Sequence, residues 1–253
     1  LSNSGMSKGD RIAILSPNCA EFVIAFYGIV RMGGIVTTIN SGYREMEISH
    51  QIKNSGCKVV IAHHSLNETL EKAYSLNQEK LRTILISEDS AEGSFWDQIH
   101  RADASIPVEI DSKKDIAALP YSSGTTGPPK SIVHSAGGTL IQHLKEHQLQ
   151  CDIQAGRDTL FWFTTCGWMM WNWLVGALSS GATILLFDGS PMYKEDDLLF
   201  KFASEEKVSL FGISAKYIDT LINKKVVPKN KYNLSSLKTI CSTGSPLSQA
   251  GFK

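Results

Sequence analysis

Short runs of apolar, often β-branched residues alternate with amphipathic stretches along the whole chain. In the first half, the apolar runs predict strands at residues 11–15, 35–39, 58–62, 83–86 and 116–121. The amphipathic stretches between them predict helices at residues 20–31, 45–54 and 66–76, and residues 87–112 form a polar stretch without a predicted element. Strand–helix alternation with short links is typical of parallel sheets covered by helices on both faces.

The second half of the chain repeats this alternation. It predicts strands at residues 160–163, 182–187, 209–212 and 237–241, and helices at residues 135–150, 169–178, 195–207 and 215–223. A charged run near Ser112 marks a boundary between the halves. We therefore expect an α/β fold of two doubly wound, mostly parallel sheet lobes, residues 1–112 and 113–253. Ligands of such sheets bind beyond the carboxyl ends of the strands, so the segments that follow strands are the candidates for chemistry.

Composition and charge exclude several classes of protein. The chain has 253 residues, of which 42% are hydrophobic, and its 25 basic and 25 acidic residues leave no net charge that would favour nucleic acid or an anionic membrane. No apolar run approaches the roughly 18 residues of a membrane span, and no signal peptide is visible at the start. The five cysteines show no paired spacing, which indicates free thiols in a reducing, cytoplasmic compartment.

Residues 121–130, which read YSSGTTGPPK, carry the most informative chemistry in the chain. Four hydroxyl side chains and two glycines occupy the six positions 122–127, and a single lysine, Lys130, follows two prolines. Glycines let successive backbone N–H groups point toward one centre, and such a nest binds anions. The hydroxyls add donors and Lys130 adds a positive charge, so the string favours a nucleotide polyphosphate over the simpler alternative, a surface turn rich in serine, threonine and glycine.

The spacing of this string is not that of a Walker A loop, in which a glycine and a lysine open a helix. Pro129 precedes Lys130 here, and each proline lacks an N–H group and disfavours helical geometry in the residue before it. We therefore expect Lys130 to leave the loop on an extended segment.

The ordered string resembles the phosphate-loop signature of the adenylate-forming enzymes, which include acyl-CoA ligases, firefly-type luciferases and peptide-synthetase adenylation domains. Residues 9–61 also resemble that superfamily, most closely its coumarate-ligase and luciferase branch. Within residues 131–253, the strings FWFTTCGWMMWNW and STGSPL are similar to the acetoacetyl-CoA synthetase branch. The resemblance covers nearly the whole chain, although its two halves are similar to different branches.

The resemblance implies a ligase that uses ATP with Mg²⁺ and coenzyme A to convert a small carboxylic acid, acetoacetate before all others, into a thioester. An aryl or fatty acid is the alternative substrate, and a non-catalytic nucleotide-binding remnant is the alternative function. The resemblance further implies catalytic roles for Lys130 and Thr126. The residues that it implies to bind the nucleotide are Ser122, Ser123, Gly124, Thr125, Thr126, Gly127, Lys130, Gly244, Ser245 and Pro246.

The resemblance also implies that later motifs of the superfamily follow Lys253, including a mobile C-terminal domain with its own lysine. On that ground we expect the 253-residue chain to be an incomplete AMP-binding domain that forms no thioester by itself.

Two further motifs leave alternatives open. Trp168 begins an aromatic segment that borders the acyl pocket in the resembled family, but helical spacing equally favours core packing for Trp168, and core packing is the better interpretation for Trp173. The string from His143 to His147 matches the H-x-x-E-H pattern of zinc peptidases. A zinc site would need a third ligand, for which only the loosely placed Glu205 and Glu206 are available, so zinc hydrolysis is a remote alternative.

Overall fold

The computed structural model describes residues 5–88, 91–102, 108–122 and 129–252. It divides the chain into two compact units, of which the first comprises Leu1–Leu140 and Thr165–Met169 and the second comprises Ile141–Thr164 and Met170–Lys253.

The first unit is built on a six-stranded sheet. In chain order its strands are β1 (Arg11–Leu15), β2 (Ile35–Ile39), β3 (Val59–His63), β4 (Arg82–Ile86), β5 (Ile116–Ala118) and β6 (His134–Ser135). Their order across the sheet is β4-β3-β1-β2-β5-β6, and every pair is parallel except β5 with β6. Its helices are α1 (Ala20–Arg31), α2 (Glu45–Ser55), α3 (Asn67–Asn77) and α4 (Phe95–His100), and a short 3-10 turn spans His64–Leu66.

Helices cover both faces of the first sheet because its central strands carry apolar residues on both sides. Ile48 of α2 and Leu70 of α3 pack with Leu15 of β1 in one buried cluster. On the opposite face, α1 approaches the strand so closely that a methyl group on Gly34 would meet the side chains of both Ile29 and Ile12. The first unit therefore has the doubly wound arrangement that the sequence predicts.

The second unit is built on a four-stranded parallel sheet. Its strands are β7 (Thr159–Trp162), β8 (Thr183–Leu185), β9 (Leu210–Ser214) and β10 (Thr239–Thr243), in the order β10-β9-β7-β8. Its helical segments are α5 (Ala136–Leu144, which begins in the first unit), a π-helix (Lys145–Gln150), α6 (Met169–Gly176), α7 (Leu198–Glu205), α8 (Ala215–Asn223) and 3-10 turns at Ala177–Ser180, Pro228–Asn230 and Gln249–Phe252.

The core of the second unit lies between the sheet and helices α7 and α8. Phe211 of β9 contacts Phe161 of β7 at a ring-centroid distance of 5.2 Å and Phe200 of α7 at 4.7 Å. Leu199 and Leu221 complete the same buried cluster from the two helices. Both sheets together confirm the predicted α/β class with mostly parallel strands.

Two regions of the chain, residues 87–112 and 135–150, differ from the sequence-based expectation. Helix α4 interrupts the polar stretch 87–112, where the Ser94 hydroxyl accepts a hydrogen bond from the Asp97 N–H group at 3.3 Å and Phe95 is the buried anchor. The predicted helix 135–150 consists of α5 followed by the π-helix. The polar stretch had no periodicity to reveal a six-residue helix, and α and π geometry differ too little in period to be separated over so short a run.

The sequence predicts a boundary between two lobes near Ser112. Strands β5 and β6, which follow Ser112, pair within the first sheet. The division into lobes 1–112 and 113–253 stays a prediction.

Over the described ranges, no helix combines the length and the apolar character needed to cross a bilayer.

Candidate nucleotide-binding site

A short antiparallel neck closes the base of the YSSGTTGPPK loop. Tyr121 pairs with Ser131, the Ser122 N–H group donates to the Lys130 carbonyl at 2.9 Å, and the Lys130 N–H group donates to the Ser122 hydroxyl oxygen at 3.0 Å. Lys130 lies on an extended segment, and the next helix begins only at Ala136. The expectation that this lysine does not open a helix is therefore confirmed.

The tip of the loop falls outside the described residues. This applies to the predicted phosphate ligands Ser123, Gly124, Thr125, Thr126 and Gly127. Their contacts with a nucleotide stay predictions, and only the two ends of the loop, Ser122 and Lys130, can be placed.

The charge of Lys130 is available to a ligand. Its side chain is exposed, and within the described part of the chain no carboxylate pairs with it. The Ser122 hydroxyl oxygen accepts the Lys130 N–H group, which leaves the hydroxyl proton free to be donated elsewhere. The neck thus presents one cation and one hydroxyl donor at the place where the loop begins and ends.

Helix α2 supports this neck through residues that the sequence interpretation missed. The Tyr121 hydroxyl donates to Asn54 Oδ1 at 2.7 Å, and His50 Nε2 lies 3.3 Å from the Pro129 carbonyl oxygen. Burial raises the pKa of Tyr121, which keeps its hydroxyl protonated as a donor. The only sequence signal that could have revealed His50 and Asn54 was the presence of polar side chains on one face of a helix that otherwise packs in the core.

The second predicted segment, Gly244 to Pro246, follows the carboxyl end of β10 in the second unit. All three residues are exposed, and Gly244 has φ +91°, a left-handed conformation that favours glycine. A methyl group at Gly244 would have no neighbour within 4 Å, so backbone at this turn is open to approach by a ligand. Its contact with the nucleotide stays a prediction.

Trp168 belongs to a turn that is anchored in the first unit. Its backbone N–H group donates to the Thr165 carbonyl at 3.0 Å. Its side chain is 57% exposed, so the alternative of core packing is wrong for this residue. The thiol of buried Cys166 donates to Asn18 Oδ1 at 3.2 Å. Trp168 precedes α6, so helical spacing does not align it with the buried Trp171, whereas Trp173 is buried as expected.

Comparison with known proteins decides the family. A family model described as AMP-binding enzyme matches residues 1–252. The chain belongs to the AMP-binding enzyme family. It is similar to the acetoacetyl-CoA synthetase of Mus musculus, with 31% identity over 98% of this chain and 40% of that protein. It is also similar to the acetoacetyl-coenzyme A synthetase of Rhizobium meliloti (strain 1021), with 56% identity over 52% of this chain and 20% of that protein.

A solved structure of this family has the same fold. The acetoacetyl-CoA synthetase from Streptomyces lividans superimposes with a TM-score of 0.90 and 32% identity, over all of this chain and 41% of that one. The Mus musculus and Streptomyces lividans relatives match nearly the whole of this chain, which thus spans about two fifths of their length.

In this AMP-binding family member, the H-x-x-E-H string lies at the junction of α5 and the π-helix. Burial and then the charge of His143 lower the pKa of His147 to about 4, and Glu146 accepts a hydrogen bond from the Trp173 indole N–H group at 2.8 Å. In the parts of the chain that are described, no three His, Cys, Asp or Glu side chains are grouped to hold a metal ion. Packing explains the string, because His147 and Glu146 both contact the indole of Trp173.

Proposed function

We propose that the chain carries the ATP-binding machinery of an AMP-forming acid–CoA ligase whose acid is acetoacetate. The observation that carries this proposal is the closed neck between Ser122 and Lys130, at the two ends of a hydroxyl-rich string in a member of the AMP-binding family. Lys130 is exposed there and pairs with no carboxylate among the described residues. The matched relatives named as acetoacetyl-CoA synthetases support the choice of reaction.

In the proposed first step, one carboxylate oxygen of the acid attacks the α-phosphorus of ATP. The bond from the α-phosphorus to the bridging oxygen breaks, and the products are the acyl-adenylate and pyrophosphate. An anion must approach a triphosphate in this step, so electrostatic stabilisation dominates the barrier. Lys130 supplies positive charge beside the loop, and Thr126, which lies outside the described residues, is the proposed hydroxyl donor to the phosphates.

In the proposed second step, the thiol of coenzyme A attacks the acyl carbon. AMP leaves with the electron pair of the acyl–oxygen bond, and the thiol proton passes to solvent or a nearby base. Mg²⁺ enters with ATP as part of the substrate and neutralises charge on the phosphates. The five free cysteines agree with a cytoplasmic setting for this reaction.

For the acid, we propose that Trp168 limits the size of the acyl group. Its indole is exposed at the end of a turn. The backbone just before it lies close to Asn40, since a methyl group on Gly167 would lie 2.6 Å from Asn40 Cβ, and this contact limits how far the turn can move. A large rigid ring held in this way favours a short acid over an aryl or fatty acid.

The acid preference is tested by equilibrium binding of acetoacetate, 4-coumarate and palmitate to the chain saturated with α,β-methylene-ATP and Mg²⁺. We expect acetoacetate to bind most tightly. Trp168→Ala should narrow or reverse that preference, whereas Trp96→Ala, a matched indole deletion on α4, should leave it unchanged. Tighter binding of coumarate or palmitate by the parent chain would show that the similarity of residues 9–61 predicts the substrate better than that of residues 131–253.

A further inference from the structure

Helix α2 carries a polar face where a core helix ordinarily carries apolar residues. Gln51 is 1% exposed, and its amide nitrogen donates to Thr37 Oγ1 at 3.0 Å and to the Thr38 carbonyl at 2.9 Å. Burying an amide is costly unless its hydrogen bonds are replaced within the protein. These two bonds meet that cost for the nitrogen and join α2 rigidly to strand β2.

The hydrogen-bonded chain continues from β2 to the segment that leads into the loop. Thr37 Oγ1, which accepts from Gln51, itself donates to the Leu119 carbonyl at 3.1 Å. The Leu119 N–H group donates to the Val36 carbonyl at 2.7 Å. Because Leu119 lies two residues before Tyr121, the entrance of the loop is tied to β2 and through it to α2.

Two further residues of α2 reach the neck directly. Asn54 Oδ1 accepts the Tyr121 hydroxyl at the entrance, and His50 Nε2 lies 3.3 Å from the carbonyl oxygen of Pro129 at the exit. A carbonyl oxygen can only accept, so His50 Nε2 carries the hydrogen in this contact. His50 and Asn54 are four positions apart and therefore share one face of the helix.

We propose that helix α2 positions the neck of the phosphate loop. Asn54 holds the entrance strand of the neck through Tyr121, and His50 holds the exit strand through Pro129, so one rigid helix sets the separation of the two strands. This inference rests on the proposed function in one respect, namely that the loop binds the triphosphate of ATP. Asn54 and His50 act through the neck, so they are positioning residues and not catalytic ones.

The consequence for binding follows from preorganisation. A ligand that must order a loose loop loses affinity by the cost of that ordering. The neck bonds between Ser122 and Lys130 set where the lysine leaves the loop. Releasing Tyr121 from Asn54 should therefore weaken binding of ATP, which reaches the loop with its β- and γ-phosphates, more than binding of AMP.

The test compares two tyrosines of the first unit whose hydroxyl groups both take part in side-chain hydrogen bonds. Tyr121→Phe removes the hydroxyl bonded to Asn54, and Tyr74→Phe removes a hydroxyl that contacts Thr83 Oγ1 at 2.8 Å between α3 and β4. Hydrogen exchange is measured at the Ser122 and Lys130 amides of the full chain, and affinities for ATP·Mg and AMP are measured by calorimetry.

We expect Tyr121→Phe to accelerate exchange at both neck amides and to weaken ATP binding about two- to tenfold, the range for one hydrogen bond, with a smaller effect on AMP. Tyr74→Phe should change neither. Asn54→Ala should reproduce Tyr121→Phe, the double variant should add little to either, and Asn54→Asp should keep the acceptor and the slow exchange.

Each other result decides against a stated claim. Unchanged exchange at the neck amides of Tyr121→Phe would overturn the positioning role of α2. Faster exchange with ATP affinity retained would overturn its consequence for binding. A parent chain without affinity for ATP would contradict the proposed function instead, and the exchange comparison would still decide whether α2 holds the neck.

Discussion

At the scale of single residues, Gly212 shows how closely the second sheet is packed. It lies in β9 opposite Trp162 of β7, and a methyl group added to it would lie 2.1 Å from an atom of the Trp162 indole. The indole in turn packs edge-on against that of Trp173, with an interplanar angle of 68° and ring centroids 5.2 Å apart. Only a residue without a side chain lets this aromatic group rest on the strand.

Gly212→Ala should therefore destabilise the second unit by about 1–3 kcal/mol, the typical cost of overpacking. The change is measured by urea unfolding followed through tryptophan fluorescence. Gly28→Ala is the matched control, because Gly28 lies in α1 with nothing within 4 Å of an added methyl group. It should raise stability by roughly 0.5–1 kcal/mol. Equal effects of the two substitutions would show that the indole moves aside without cost.

At the scale of elements, the π-helix Lys145–Gln150 encloses an imidazole in an apolar setting. His147 is fully buried, and its ring lies 4.3 Å from that of Trp173. Burial first, and the charge of His143 second, lower its pKa to about 4, while Glu146 opposes them. An unfolded histidine has a pKa of about 6.5, so between the two values the unfolded chain binds a proton that the folded chain does not.

The second unit should consequently lose stability as the pH falls from about 6.5 to about 4, because the unfolded state binds more protons across that window. His147→Leu should flatten this dependence, whatever its effect on stability at neutral pH. His100→Leu, at the exposed end of α4, should leave the dependence in place. Unfolding free energies measured in steps from pH 7 to pH 4 decide the matter, and equal slopes for the parent and His147→Leu would contradict a neutral buried imidazole.

At the scale of the whole molecule, the alternation of apolar and amphipathic runs predicted most of the fold. Strand β1 and helix α8 have the predicted bounds because buried strands and amphipathic helices leave a local signature in sequence. The neck left no such signature. Asn54 and Tyr121 are 67 positions apart, and His50 and Pro129 are 79 positions apart, so these contacts exist only once α2 has packed beside the neck.

The candidate site, like the fold, was predicted only in part from the sequence. Lys130 and its extended setting followed from the prolines and the spacing of one string. The exposure of Trp168 did not, because it depends on a turn that ends one residue before α6 begins. The residues that would bind the ligand are therefore visible in the sequence, whereas the α2 residues that position them are identified only from the packed structure.

The central claim is that the loop between Ser122 and Lys130 binds the triphosphate of ATP, and calorimetric titration with ATP·Mg and AMP tests it most directly. Lys130→Ala should weaken ATP binding roughly tenfold or more, as expected for the loss of a charge-assisted hydrogen bond, and should weaken AMP binding less. Lys229→Ala, which removes an exposed lysine from a 3-10 turn, should bind both ligands as the parent does. Equal affinity of Lys130→Ala and the parent chain for ATP would contradict the account.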